Sequence, residues 1–178
     1  MRPDKDTTVE PRHRYDMACA ALVSMVPLAC PIYVESTEVD SGRYFPTTEL
    51  MRVYRARYPK LQFKVLIGND LLSTLHLWDD FLDLVAENVF MVYSRIQTLS
   101  GNLDEEEIVE LSDRVHTKLK VERIRNKEGF TATISNISST EIRFRLKTRG
   151  ISAIIGLTPM AVVEYIETHN LYPTLVSR

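Results

Sequence analysis

Ile137-Ser138-Ser139-Thr140-Glu141-Ile142-Arg143 puts three hydroxyls, a carboxylate and a guanidinium into seven residues. The pattern is that of a helix start. Ser138 is placed to accept from the first-turn N–H groups, and Glu141, three residues on, to reach back to the Ser138 N–H. A cap of this kind stabilises a helix by about 1 kcal/mol. The same residues suit an anion. A helix N-terminus carries free N–H groups and the positive end of the dipole, and Arg143, one turn further on, offers a planar fork that fits phosphate. Cap and phosphate site are both open readings of this stretch.

Two other clusters carry polar chemistry. Gly68-Asn69-Asp70 and Ser94-Arg95 each follow an apolar run that reads as a strand. In open parallel sheets ligands bind at the carboxyl ends of the strands, so clusters at one such edge support one another. Asp70 fits a ribose hydroxyl or a helix cap, Arg95 a phosphate or plain solvent, and Trp78 a stacking platform or a core position. No Ser/His/Asp or Cys/His arrangement is present. His13, His76, His116 and His169 are widely separated and read as structural or exposed, and Lys5 reads as solvated.

The elements that must position these groups follow from periodicity. The chain has 178 residues, 44% hydrophobic and 26% charged, with net charge −2, values ordinary for one globular domain spanning residues 1–178. That charge gives no global pull toward nucleic acid or an anionic membrane. Cys19 and Cys30 lack zinc or disulfide spacing and fit a reducing compartment, so a cytoplasmic protein is expected, with the nucleus as an alternative. No apolar run reaches membrane-spanning length, and the polar start is unlike a signal peptide.

Helices are expected at Arg12–Met25, from Pro46 to about Tyr58, from Trp78-Asp79-Asp80 through Ala86, at Asp104–Lys118, from Ser138 to about Thr148 with Gly150 as its stop, and from Thr158-Pro159 to His169-Asn170. Strands are expected at Ile32–Glu35, Gln62–Ile67, Val89–Tyr93, Lys120–Ile124 and Phe130–Ile134. Ser36 to Phe45 reads as a polar loop. Alternating strands and helices argue an α/β fold, a mostly parallel sheet with helices on both faces.

Four stretches together resemble one family. The run from Ile137 to Tyr172, including Leu157-Thr158-Pro159, Val163-Glu164-Tyr165-Ile166-Glu167 and His169-Asn170-Leu171-Tyr172, is similar to the C-terminal part of the nicotinate/nicotinamide mononucleotide adenylyltransferases. Ile67-Gly68-Asn69-Asp70, with Trp78 eight residues after Asp70, looks like the family's G-x-D…W element. Val92-Tyr93-Ser94-Arg95 resembles its strand-end arginine, and Arg14-Tyr15-Asp16-Met17 its R-x-x-M helix. The resemblance covers most of the chain in the family's order. It implies a Rossmann-like nucleotidylyltransferase fold and attack of a mononucleotide phosphate on the α-phosphorus of ATP, with Mg²⁺, releasing pyrophosphate. Such chemistry rests on positioning and charge stabilisation. By the resemblance, Gly68, Asp70, Ser139, Thr140 and Arg143 would bind ATP, and Trp78 and Arg95 the mononucleotide.

The pattern also breaks. The family opens with a strand and a G-x-F-x-P-x-H-x-G-H stretch, and this sequence contains no H-x-x-H pair. The resemblance therefore implies that the first β-α-β unit is missing, that the chain is an N-terminally truncated form of an adenylyltransferase, and that it does not turn over alone. Tyr44-Phe45-Pro46-Thr47-Thr48-Glu49-Leu50 stands at the family's S-Y-T-x-D-T-L loop, Asn69 where alanine is usual, and Ser135 where some members have asparagine. These leave nicotinate and nicotinamide mononucleotide both open. The alternatives are a non-catalytic nucleotide-binding short form, or a related adenylyltransferase such as a phosphopantetheine type, against which Trp78 counts. Arg143, Arg145, Lys147 and Arg149 are basic over a single helix, and a nucleic-acid role is not expected.

Overall fold

The computed structural model describes residues 9–93, 120–123 and 137–173. In chain order its elements are α1 (Pro11–Met25), α2 (Thr37–Ser41), α3 (Thr47–Arg57), β1 (Lys64–Gly68), a 3₁₀ helix (Asn69–Leu77), α4 (Phe81–Glu87), β2 (Val89–Tyr93), β3 (Val121–Arg123), α5 (Ser139–Arg149), a second 3₁₀ helix (Ile151–Ile154) and α6 (Met160–Thr168). They fall into two compact units, one of residues 1–44 and 137–178, the other of residues 45–136. The expected helix at Asp104–Lys118 and strand at Phe130–Ile134 lie outside the described residues.

The second unit is built on a sheet. Its strands are parallel in the order β1-β2-β3, with Val65 opposite Phe90, Ile67 opposite Val92, and Phe90 opposite Val121. A parallel neighbour requires a long crossover, and between β1 and β2 this is the first 3₁₀ helix with α4. Both pack on the sheet. Ile67, Leu72, Leu75, Phe81, Leu84, Val85, Phe90 and Val92 form one buried cluster, and Val65 and Trp78 pack against it.

Local geometry explains where expectation and structure part. In a 3₁₀ helix side chains three apart eclipse. Leu72 and Leu75 are thereby brought to one buried edge, and Trp78, three further on, continues it. Trp78-Asp79-Asp80 does not open α4. Trp78 closes the 3₁₀ helix, and α4 starts at Phe81, after Asp80 in a left-handed conformation. This later start sets the phase, so that Phe81, Leu84 and Val85 are buried while Leu82 and Ala86 are exposed.

In α3 the buried positions are Thr48 and Met51, and Arg57 is exposed. The Thr48 hydroxyl donates to the Asp79 carbonyl at 3.2 Å, which ties the start of α3 to the chain entering α4. Further along α3, Arg52 meets Asp83 at 2.8 Å and also pairs with Glu87. Arg55 reaches Glu87 at 3.3 Å. The Arg52 guanidinium holds the Glu87 carboxyl below the usual glutamate range. A lowered native pKa stabilises above the unfolded value, and that stabilisation is lost as pH falls through the native one. The denaturant midpoint is therefore expected to fall on acidification below about pH 4, and to fall less steeply in Arg52→Gln, as urea titrations across that range would show.

The first unit is helical. Leu146, Ile154, Val163 and Ile166 are its buried cluster, with Met17, Ile142, Ile151 and Leu171 among the residues packed on it. Helix α1 buries nothing fully and is joined to α6 by polar contacts. The Tyr165 hydroxyl donates to Asp16 at 3.1 Å and accepts from His13 Nδ1 at 2.9 Å. His169 stacks on the Tyr165 ring, with centroids 4.0 Å apart. His13 and His169 are thus structural, as their isolation in sequence suggests.

Three boundaries differ from expectation in this unit. Ile32–Glu35 is not a strand: no neighbour pairs with it among the described residues, and Ile32 and Tyr33 are exposed. The Ser36–Phe45 loop contains α2, which Gly42 ends at φ 67. Helix α6 begins at Met160 with Pro159 at its cap, so Thr158 lies outside it. Among the described residues no helix is long and apolar enough to cross a membrane.

Candidate functional site

Helix α5 starts where its sequence requires. Ser138 is extended, and its hydroxyl accepts from the Glu141 N–H at 3.2 Å. The other half of the expected capping box is not formed. The Glu141 carboxylate instead accepts from Arg145 Nε at 2.6 Å, one turn along. An i,i+4 ion pair on the helix face satisfies that charge better than folding back on one N–H. Ser138→Ala is expected to cost about 1 kcal/mol of stability, measured by denaturant unfolding.

The phosphate-binding candidates cluster around this start. Ser139 and Thr140 are exposed in the first turn, and Arg143 Nη2 donates to the Thr140 hydroxyl at 3.3 Å. A cavity of about 300 Å³ opens beside them. Its polar end is Ser138, Ser139 and Arg143. Its apolar wall includes Met17 from α1, Leu146 from α5, and Val162 and Ile166 from α6. Tyr172 also lines it.

The end of α6 fixes Tyr172. The Leu171 N–H reaches back to the Ile166 carbonyl at 2.9 Å, and Asn170 is left-handed at φ 48, the Schellman closure. Tyr172 follows, itself at φ 54. Burial pushes its phenol pKa up, and Arg143 and then Arg14 oppose that shift. Sequence reasoning missed Tyr172 as a lining residue. Its signal was only the closing motif, with nothing in type or spacing to link it to Ser138.

The remaining candidates belong to the sheet unit. Gly68 is buried at the carboxyl end of β1, opposite Tyr93 at the end of β2. Its φ of −76 is open to any residue, so left-handed freedom is not what glycine supplies there. Asp70 is the second residue of the first 3₁₀ helix. Trp78 is half-buried, one side against the core cluster. Arg95, two residues after Tyr93, lies outside the described residues. Gly68, Asp70 and Trp78 therefore share one unit, while Ser139, Thr140 and Arg143 share the other. Among the described residues no group of three or more His, Cys, Asp or Glu is placed to hold a metal ion.

A parallel sheet with a helical crossover between β1 and β2 is an α/β architecture. Solved structures make the fold definite. The chain superimposes on Plasmodium falciparum nicotinic acid mononucleotide adenylyltransferase complexed with NaAD with a TM-score of 0.72, at 24% identity, over 96% of this chain and 78% of that one. A second structure of that protein, complexed with APC, gives 0.69 at 23% identity, over 92% and 76% of the two chains. The fold is the Rossmann-like nucleotidylyltransferase fold.

Sequence relatives narrow the class. The chain is 35% identical over 154 residues to the probable nicotinate-nucleotide adenylyltransferase of Flavobacterium johnsoniae, covering 84% of this chain and 70% of the relative. It is 32% identical over 126 residues to that of Neisseria meningitidis serogroup C, covering 71% and 58%. No protein-family model matches. The chain belongs to the nicotinate-nucleotide adenylyltransferase family.

Proposed function

We propose that the chain carries nucleotide-binding machinery for adenylyl transfer from MgATP to a pyridine mononucleotide, the nicotinate form in keeping with its relatives' names. One observation carries the reading in a chain of this family: the Ser138-capped start of α5, with Thr140 and Arg143 beside an open cavity. In the reaction a 5′-phosphate oxygen of the mononucleotide forms a bond to the α-phosphorus of ATP. The bond to the β-phosphate bridge breaks, and its electron pair leaves with pyrophosphate. Ser139, Thr140, Arg143 and the free N–H groups of α5 meet the charge gathering on that leaving group. For the sheet unit taken by itself, the family resemblance assigns Gly68 and Asp70 to a ribose and Trp78 and Arg95 to the mononucleotide.

The alternative outcome is binding without turnover. Trp78 is the only tryptophan, so fluorescence has one source. Nicotinate and nicotinamide mononucleotides would be titrated with and without MgATP, and dinucleotide followed by mass spectrometry. Saturable quenching with product supports transfer, and quenching without product supports the binding form. A blue, buried emission that no mononucleotide alters would remove Trp78 from the site and leave it in the core.

A further inference from the structure

We infer that Tyr172 is a specificity-determining residue: its ring is the stacking face for a planar base, so the cavity takes a nucleoside phosphate in preference to a bare phosphate chain. The inference rests on the proposed ATP site and adds a residue to it. The cavity has two chemically different parts. Ser138, Ser139 and Arg143 make its polar end, and Met17, Leu146, Val162 and Ile166 belong to its apolar wall. A bare phosphate chain would leave that wall against water, and a purely apolar ligand would strip water from Arg143 and put nothing in its place. A planar ring joined to an anionic group satisfies both parts at once. At about 300 Å³ the space is at the small end of ligand pockets and suits one ring system.

Tyr172 is the one aromatic side chain among the residues that line the cavity. It also packs against the buried cluster of Leu146, Ile154, Val163 and Ile166. The ring is therefore anchored on the core while it borders the open space. Its backbone is unusual in the same place. Tyr172 sits at φ 54, a conformation that a bulky side chain rarely adopts. The bond from the Leu171 N–H to the Ile166 carbonyl and the left-handed Asn170 close α6 and deliver Tyr172 in that conformation. Strain of this kind persists only where the surroundings over-determine it, and it gathers at ligand clamps. A base laid on the ring would be held between a fixed aromatic face and the aliphatic wall, with its phosphates toward Ser139 and Arg143.

Calorimetric titration of the full chain with ATP and with inorganic tripolyphosphate tests this. The unaltered protein is expected to bind ATP about tenfold more tightly than tripolyphosphate, the scale of one base–aromatic stack. Tyr172→Phe keeps the ring and is expected to keep ATP affinity within about twofold. Tyr172→Leu fills the space without a ring, and is expected to lose about tenfold in ATP and less than about twofold in tripolyphosphate. Tyr172→Gly, which φ 54 suits, is the second ringless variant and is expected to show the same split if the leucine variant fails to fold. Equal affinity of the unaltered chain for the two ligands overturns the inference and leaves the phosphate end standing. Unchanged ATP binding in the ringless variants overturns it as well. If those variants weaken both ligands alike, Tyr172 only shapes the polar end and the inference fails. If the unaltered chain binds neither ligand, the ATP site fails with it.

Discussion

Arg143→Gln is expected to weaken ATP binding by about thirty- to a hundred-and-fiftyfold, because a guanidinium contact to an ionised oxygen contributes about 2–3 kcal/mol. The argument begins with what holds Arg143 in the free chain. Its described hydrogen bond is a 3.3 Å donation to the hydroxyl of Thr140, one turn back. That contact orients the fork without neutralising it. A phosphate arriving at the α5 start would meet the Arg143 fork and the first-turn N–H groups together. Glutamine keeps much of the length and a donor but removes the charge, so the loss falls on binding. The denaturant midpoint stays put, since the side chain has no buried ionic partner. Arg143→Lys is expected to be intermediate, with charge but no fork. Calorimetric affinities for ATP across the three proteins check this. If all three bind alike, Ser138-Ser139-Thr140 is a helix cap and nothing more.

The sequence made α5 legible because every signal there is local. Ser138 caps within its own turn, and Gly150 stops the helix at φ 78 by the conformational freedom that only glycine has cheaply. β2 was legible for a related reason: an apolar run between Asn88 and a polar stretch has few other uses. What failed depended on partners or on phase. Ile32–Glu35 has strand-forming residues, but a strand exists only beside another strand, and none pairs with it among the described residues. The start of α4 was misplaced because Asp80 takes a left-handed turn that its residue type permits but does not announce. With that start Leu84 is buried and Leu82 exposed.

The candidate site divides along the same line. Thr140 and Arg143 meet because three residues make one helical turn, which spacing reveals. Tyr172 joins them from the far end of α6, through a Schellman closure whose left-handed residue is Asn170 rather than glycine. No periodicity connects positions so far apart in the chain. Trp78 is intermediate. Its place on the core follows from a 3₁₀ period, where the sequence suggested an α-helical one.

The sheet that carries the other half of the proposed site is expected to fail at one residue. Phe90 has 0% exposure at the middle of the described sheet, opposite Val65 on β1 and Val121 on β3. Leu72, Leu75, Leu84 and Val85 share its buried cluster, so truncation removes contacts on several sides at once. Phe90→Ala is expected to cost about 3–5 kcal/mol, the loss of a buried ring plus the cavity it leaves. Phe90→Leu, which refills most of the volume, is expected to cost less than about 1.5 kcal/mol. Stability would be measured by urea unfolding with Trp78 emission as the probe, since Trp78 packs against that cluster. The binding consequence follows from register. Gly68 and Tyr93 end β1 and β2 side by side, and a loosened β2 releases the edge at which Gly68 and Asp70 are proposed to bind nucleotide. The alanine variant is therefore expected to red-shift Trp78 emission and to lose mononucleotide quenching, while the leucine variant keeps both. A loss below about 1 kcal/mol in Phe90→Ala would mean that this cluster does not hold the sheet, because fully buried aromatic truncations cost several times that.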